Sequence, residues 1–306
     1  MSQINLNSRQ SKTWTSYKYA ILFMSPWIVG LVVFSIYPIF YSLYLAFTNF
    51  NLFDQAEFIG IENFVTLIGD RRYLTSLVVT GTFVGIGVPL QLAFALGLAM
   101  ILYQGVYGLK YFRAIYYLPA LLGGSVAIAM LWRLVFGSGG LLNGLLGALG
   151  LPESITNISW ISNPDFALGT LIVLRVWQFG SPMLIFLAGL KQIPVEMYEA
   201  AYIDGVNPFS KFLYITMPML SPIILFNLIM QIIFAFQSFT PAFIIGGPTG
   251  GAVDSLLLYT LYLFIIAFTF FQMGYASAIA WVLVILLGAL TLLIFKLSKR
   301  IVYYEN

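Results

Sequence analysis

The residues best equipped for chemistry sit in two strongly apolar stretches. One reads Arg175-Val176-Trp177-Gln178-Phe179-Gly180-Ser181-Pro182. The other sets Asn227, Gln231, Phe236, Gln237, Ser238 and Thr240 among Leu, Ile, Phe and Met. An arginine fork matches a carboxylate or phosphate. Amides bond hydroxyl groups, and aromatic rings stack on the faces of sugars, so this set suits a polyhydroxylated ligand. It does not suit catalysis. The chain has no cysteine and no histidine, which removes disulfides, thiolate nucleophiles, Cys/His metal sites and imidazole acid–base relays. No paired acids or Ser–base couple fall in the apolar stretches, as an intramembrane enzyme would need. No phosphate-binding Gly-x-x-x-x-Gly-Lys-Ser/Thr loop occurs, so the chain does not hydrolyse ATP itself.

The elements that must position these residues are membrane helices. Sixty per cent of the 306 residues are hydrophobic, 8% are charged, and mean hydropathy is +0.94. Soluble domains carry about 25% charged residues. Runs long enough to cross lipid, about 20 apolar residues each, occur at Tyr19–Phe47, Leu74–Tyr103, Ala114–Phe136, Phe166–Leu190, Met219–Ile245 and Gly274–Phe295. The expected fold is all-α, a polytopic membrane protein of six transmembrane helices. A shorter run, Ser255–Phe271, reads as an interfacial or re-entrant helix. Charge placement supports this count. With an inner N-terminus, Arg9, Lys12, Lys18, Lys110, Arg113, Lys191, Lys211, Lys296, Lys299 and Arg300 fall inside, and only Arg71, Arg72 and Arg133 outside. That is the bias membrane proteins show. The expected organisation is a cytoplasmic tail over 1–18, a transmembrane domain over 19–298 containing a cytoplasmic loop over 191–218, and a cytoplasmic tail over 299–306. The first run is too long for a secretory leader's apolar core, so it reads as an uncleaved helix. Prolines at 26, 38, 89, 119, 182, 222 and 241 predict kinks. No internal repeat of the kind seen in inverted-repeat transporters is apparent.

The loop between the fourth and fifth runs carries the most specific pattern. Pro194 opens a short amphipathic helix with acid near its start, and Gly205 reads as its stop. Within it stand Glu199-Ala200-Ala201, then Asp204-Gly205, then Ile215 and Pro218. This register resembles the signature of the binding-protein-dependent ABC importer permeases. Met217 stands where that signature usually has leucine. The resemblance extends along most of the chain, through Phe58-Ile59-Gly60-Ile61-Glu62-Asn63-Phe64, Tyr117-Leu118-Pro119, Leu131-Trp132-Arg133 and Met273-Gly274-Tyr275-Ala276-Ser277-Ala278. Together these favour the carbohydrate-uptake, maltose-importer-like branch, with an overall likeness to permeases for pectin- or alginate-derived oligosaccharides.

The resemblance implies a type I ABC importer permease fold in a bacterial plasma membrane. It implies that the loop is a coupling helix docking on a cytoplasmic ATPase dimer, with Glu199 pairing to a basic residue, Ala200 and Ala201 allowing close packing, and Gly205 permitting the turn. ATP and Mg would then sit on that partner, with no cofactor on this chain. A second homologous permease, an extracellular solute-binding protein and a sugar would complete the system, and no nucleic acid is implied. By similarity to the maltose importer, Arg175, Gln178, Phe179 and Pro182 fall at sugar-contact positions, and Phe236-Gln237 resembles a contacting Phe-Asn pair. Asn227 and Gln231 add polar groups on the fifth run. Arg175 has no acid within the six runs to offset a mid-span cost of about 2.5–3.5 kcal/mol. It therefore bonds backbone carbonyls, pairs with an acid of the companion permease, or binds an anionic, uronate-bearing substrate. A neutral sugar or a glycerol-phosphate-type solute is the alternative within the family. A stand-alone channel or ion-coupled transporter is the alternative outside it, and would need an intramembrane acid that is missing.

Overall fold

The structure is a computed structural model describing residues 6–105 and 107–299, with side chains from Lys18 onward. Residues 1–5 and 300–306 of the expected tails, and the side chains of Arg9, Lys12 and Arg300, lie outside the described residues. The described part of the N-terminal segment is helical from Leu6 and runs without a break into the first span. Apart from one isolated bridge between Thr48 and Phe58, the described residues hold no paired strand.

Among the described residues, five continuous stretches are long and apolar enough to cross a membrane, and one bent pair of helices makes a sixth. The first span is Lys18–Leu45, the second Arg71–Tyr103, the fifth Pro208–Phe236 and the sixth Met273–Ser298. The fourth span is the bent pair, Pro164–Trp177 and Gly180–Leu190, meeting at 41°. For the third, length and composition single out Val126–Ala148. The contacts favour Leu109–Leu122 followed by Val126–Phe136. Gly180 lies so close to the first of these helices that a Cβ would stand 2.6 Å from the Tyr116 carbonyl, and Trp132 Nε1 of the second donates to Thr170 O at 3.0 Å. The two halves of the third span thus run antiparallel to the two halves of the fourth, and Leu141–Ala148 belongs to the connection beyond it. Alternation then defines two ends. The motif end carries the loops after the second and fourth spans, and the far end carries the other three.

The second span is the hub. Its buried residues recur at helical spacing: Tyr73 and Thr80 meet the segment around Tyr259, and the rest of the helix, with Gly87, Gln91, Ala95 and Ala99, packs on the fourth and fifth spans. Small residues set the close crossings, as expected where lipid supplies no hydrophobic drive between helices. A Cβ on Gly189 would overlap Ile223 and crowd Leu220 of the fifth span. The first span is the outlier: it lies exposed along its length, and its visible tie to the bundle is near its far end, where Trp281 Nε1 donates to Ser42 Oγ at 3.2 Å. Just beyond, Asn63 Nδ2 straps the emerging chain through Ala46 O at 2.9 Å and Thr48 O at 2.8 Å.

Two prolines act through the turn before them. Pro38 and Pro218 each deprive the carbonyl four residues back of its helical donor. Those carbonyls, of Phe34 and Tyr214, fall inside π-helical turns at Val32–Ile36 and Phe212–Thr216. The wider turn absorbs the misfit without ending the helix.

The run Ser255–Phe271 is re-entrant. Its helix, Tyr259–Phe264 continued by the π turn Ile265–Thr269, is too short to cross; it begins inside the bundle beside Thr80 and Ser238 and leads back to the far end. Leu256, Leu257, Leu258, Tyr259 and Leu261 are at most 1% exposed. Tyr259 N–H donates to Thr80 Oγ1 at 2.8 Å and its hydroxyl to Ile279 O at 2.7 Å, so the hairpin dips between the second and sixth spans. Its far-end anchor is Asp70, the cap of the second span. Asp70 accepts from the Arg72 and Tyr73 N–H groups, from Tyr275 at 2.7 Å and from Tyr262. Burial alone would push the carboxyl pKa up; the four donors outweigh it and hold the pKa below its ordinary value. Beside it, Arg72 grips Asp254 at 2.7 Å.

Candidate functional site

Three helix interruptions come together at a half-open cavity of about 380 Å³. The third span breaks at Gly123–Ser125, the fourth at Gln178–Phe179, and the fifth ends at Phe236, where Gln237–Phe239 separates it from the helix Thr240–Gly246. Non-helical backbone is tolerated inside a membrane only where it is buried or lines a cavity. Here it does both. Gln178 bridges two of the breaks, its Nε2 donating to Gly123 O at 3.1 Å. A Cβ at Gly123 would overlap that side chain, so glycine is required by a close approach. Pro182 cannot donate to the carbonyl of Gln178. Gln91 Nε2 of the second span takes that place at 3.0 Å.

Arg175 forms part of the cavity wall and is 8% exposed. Its Nη2 donates to Gln231 O at 2.7 Å and to Gln231 Oε1 at 3.1 Å, and the guanidinium lies 5.8 Å from the Phe83 ring centroid. Its Nε is buried without a hydrogen-bond partner. Among the described residues the one ion pair is Arg72–Asp254, so no carboxylate of those residues offsets Arg175. Gly87 makes room for its stem, since a Cβ there would stand 3.3 Å from Arg175 Cδ.

Of the side chains expected to contact a ligand, Arg175, Gln178, Pro182, Gln231 and Gln237 line this cavity. Phe179, Phe236 and Asn227 do not line it. Phe179 turns away and packs edge-on against Phe94 at 4.9 Å and beside Tyr116. Phe236 is buried off the cavity; the aromatics at the wall are Phe234 of the fifth span and, beyond its end, Phe239, stacked on Phe243. Asn227 is fully buried one turn from Gln231, with neither amide atom partnered. Gln231 and Phe234 share the helix face at the cavity, and Phe236, five residues beyond Gln231 on the same helix, falls on another face. Gln91, Phe83 and Ser181 also line the cavity and were not singled out beforehand. Gln91 carried a readable signal, a lone amide in the apolar second span.

At the motif end, Val195–Ile203 forms the short helix expected there. Gly205, at φ +72°, follows it in the left-handed region. Val206 N–H bonds Ala201 O at 2.9 Å and Gly205 N–H bonds Tyr202 O at 3.1 Å, the paired bonds of a Schellman stop. Asn207 caps the next turn through Ser210 N–H at 2.8 Å. Glu199, Ala200 and Asp204 are exposed, Ala201 is buried, and Ile215 and Pro218 are half-buried at the root of the fifth span. Tyr202 and Ile203 are 80% and 83% exposed, which leaves an apolar surface beside Glu199.

No protein-family model matches the sequence. Relatives do. The probable ABC transporter permease protein YesP of Bacillus subtilis is 51% identical, over 93% of this chain and 91% of its own length. The lactose transport system permease protein LacF of Rhizobium radiobacter is 33% identical over 91% and 93%. A solved bacterial alginate ABC transporter, in complex with alginate pentasaccharide-bound periplasmic protein, contains a chain of the same fold. It superposes with a TM-score of 0.78 at 20% identity, covering 98% of this chain and 99% of that one. Six helical spans with broken helices around an interior cavity define a polytopic membrane permease. This chain belongs to the ABC transporter permeases of the sugar-uptake branch.

Proposed function

We propose that this permease conducts an acidic oligosaccharide, received from an extracellular solute-binding protein and driven by an ATPase on separate chains. The observation that carries the reading is Arg175, a cation on the cavity wall held in place by Gln231 and lacking a carboxylate partner among the described residues. A fixed, partly desolvated guanidinium favours an anionic group far more than a hydroxyl. Amides of Gln178 and Gln237 and the ring of Phe239 supply the contacts a sugar takes. The alginate transporter that shares this fold is described as importing an acidic polysaccharide, which agrees with the reading. A neutral sugar is the second reading, favoured by the Gln231 carbonyl that already occupies Arg175 Nη2.

The motif end is cytoplasmic in this scheme, in a bacterial plasma membrane. Lys18, Lys110, Arg113, Lys191, Lys211, Lys296 and Lys299 lie there, against Arg71, Arg72 and Arg133 at the far end. The exposed face of Val195–Ile203, with Glu199, Tyr202 and Ile203, is the surface for the ATPase, which carries the ATP and Mg. The exposed first span offers its apolar length to lipid and to a second homologous permease.

The test is uptake into proteoliposomes holding the full transporter, with galacturonate, alginate and neutral oligosaccharides compared. Uptake of a uronate-bearing oligomer should fall more than tenfold in Arg175→Gln. Undiminished acidic uptake in that variant, or uptake of neutral sugars alone by the wild type, would sink the acidic reading and leave the neutral one.

A further inference from the structure

We infer that Tyr198 is a positioning residue that carries movement of the helix Val195–Ile203 into the fifth span through its hydroxyl contact with Thr216. The inference rests on the proposed role of that helix as the ATPase-docking element.

The helix is sparsely attached to its own chain. Glu199, Ala200, Tyr202 and Ile203 are exposed, and only Ala201 is fully buried. Tyr198, half-buried, is the side chain of the helix that hydrogen-bonds to the bundle: its hydroxyl lies 3.1 Å from Thr216 Oγ1, and Thr216 is 4% exposed. Its ring also meets Tyr103, at the motif end of the second span, at 6.4 Å. One residue therefore joins the helix to the hub span and to the root of the fifth. Burial pushes the Tyr198 hydroxyl pKa up, and its bond to Thr216 only partly opposes this, so the hydroxyl keeps its proton.

The point of attachment matters mechanically. Thr216 closes the π-helical turn Phe212–Thr216, and Pro218 removes the donor that Tyr214 O would use in an α-helix. A π turn backed by proline is where a helix bends most readily. A cavity of about 400 Å³ borders the pair, so it has room to shift. Beyond Pro218 the fifth span runs as an unbroken helix to Phe236. It reaches Gln231, whose carbonyl and side chain hold Arg175. Fifteen residues of helix from Thr216 span about 22 Å. A displacement applied at Tyr198 thus enters the fifth span at its yielding turn and arrives at the wall of the cavity.

This chain has no cysteine of its own, so a single one introduced into it is the only site in this subunit for labelling. In the complete transporter, a Ser238→Cys reporter at the cavity is labelled with a maleimide, with and without MgATP plus vanadate. The nucleotide-induced change in labelling rate should fall at least fivefold in Tyr198→Phe and in Thr216→Val, while the ATPase copurifies and hydrolysis persists. The double variant should be no worse than either single one, and Thr216→Ser should keep the full change. A full change in either single variant, losses that multiply in the double, or loss of the ATPase from both single variants would overturn the inference. Glu199→Lys separates the two readings. If it couples normally, the docking role of the helix falls; if it uncouples while Tyr198→Phe behaves as wild type, only the Tyr198–Thr216 link falls.

Discussion

Gln178 donates from its side chain to the carbonyl of Gly123 at 3.1 Å, and so ties the break in the fourth span to the break in the third. Two local interruptions become one cavity wall because a glycine lets an amide lie against its backbone. In Gly123→Ala the new Cβ would occupy space Gln178 now fills. Overpacking of this kind costs about 1–3 kcal/mol. The expected result is a lower melting temperature in detergent and a loss of transport greater than that of Gly124→Ala, whose site has open space.

The Gln178 carbonyl depends on Gln91 because Pro182 offers it no donor. Gln91→Leu leaves that carbonyl unpaired, at a cost of about 1–3 kcal/mol. Adding Pro182→Ala supplies an N–H four residues on and should recover part of the stability. Thermal unfolding of the single and double variants measures the recovery; equal melting points for Gln91→Leu with and without Pro182→Ala would refute the link.

At the motif end, Gly205 sits at φ +72°, where a Cβ costs about 1–2 kcal/mol. Gly205→Val should disrupt the stop of the helix Val195–Ile203 and reduce ATPase copurification severalfold. Gly205→Asn should be milder, since asparagine tolerates this conformation best among residues with a Cβ. Equal retention of the ATPase by both variants would show that the stop does not matter.

Asp70 gives the far end an acid sensitivity of defined sign. Its folded-state pKa lies below the unfolded one, near 3.9. Its contribution to stability is therefore complete above that value and is lost as pH falls through the folded pKa. Melting temperature should not respond to this group between pH 7 and pH 5, roughly, and should drop on further acidification. Asp70→Asn should lower stability at neutral pH and weaken the acid-induced drop. An unaltered drop in Asp70→Asn would place the acid sensitivity elsewhere.

Much of this was legible in the chain alone. The spans follow from apolar length, and their number from charge placement. The residues from Pro194 to Gly205 announced a short helix and its stop, because both depend on neighbours a few residues away. Arg175, Gln178 and Gln231 stood out because a polar group in an apolar run is expensive wherever it lies. The helix Tyr259–Thr269 was recognisable as too short to cross, yet its burial was not, since that depends on Thr80 and Ile279 in other spans.

Tertiary structure alone decided which polar groups share a cavity. Phe179 and Phe236 lie beside cavity residues in sequence and off the cavity in space: Phe179 follows the helix break at Gln178, and Phe236 sits on another face of the helix that carries Gln231. Composition and local pattern thus determined that this chain crosses the membrane and presents the Glu199–Gly205 motif. What holds Arg175 was decided by packing, because Gln231 lies 56 residues away and meets it only where the fourth and fifth spans converge.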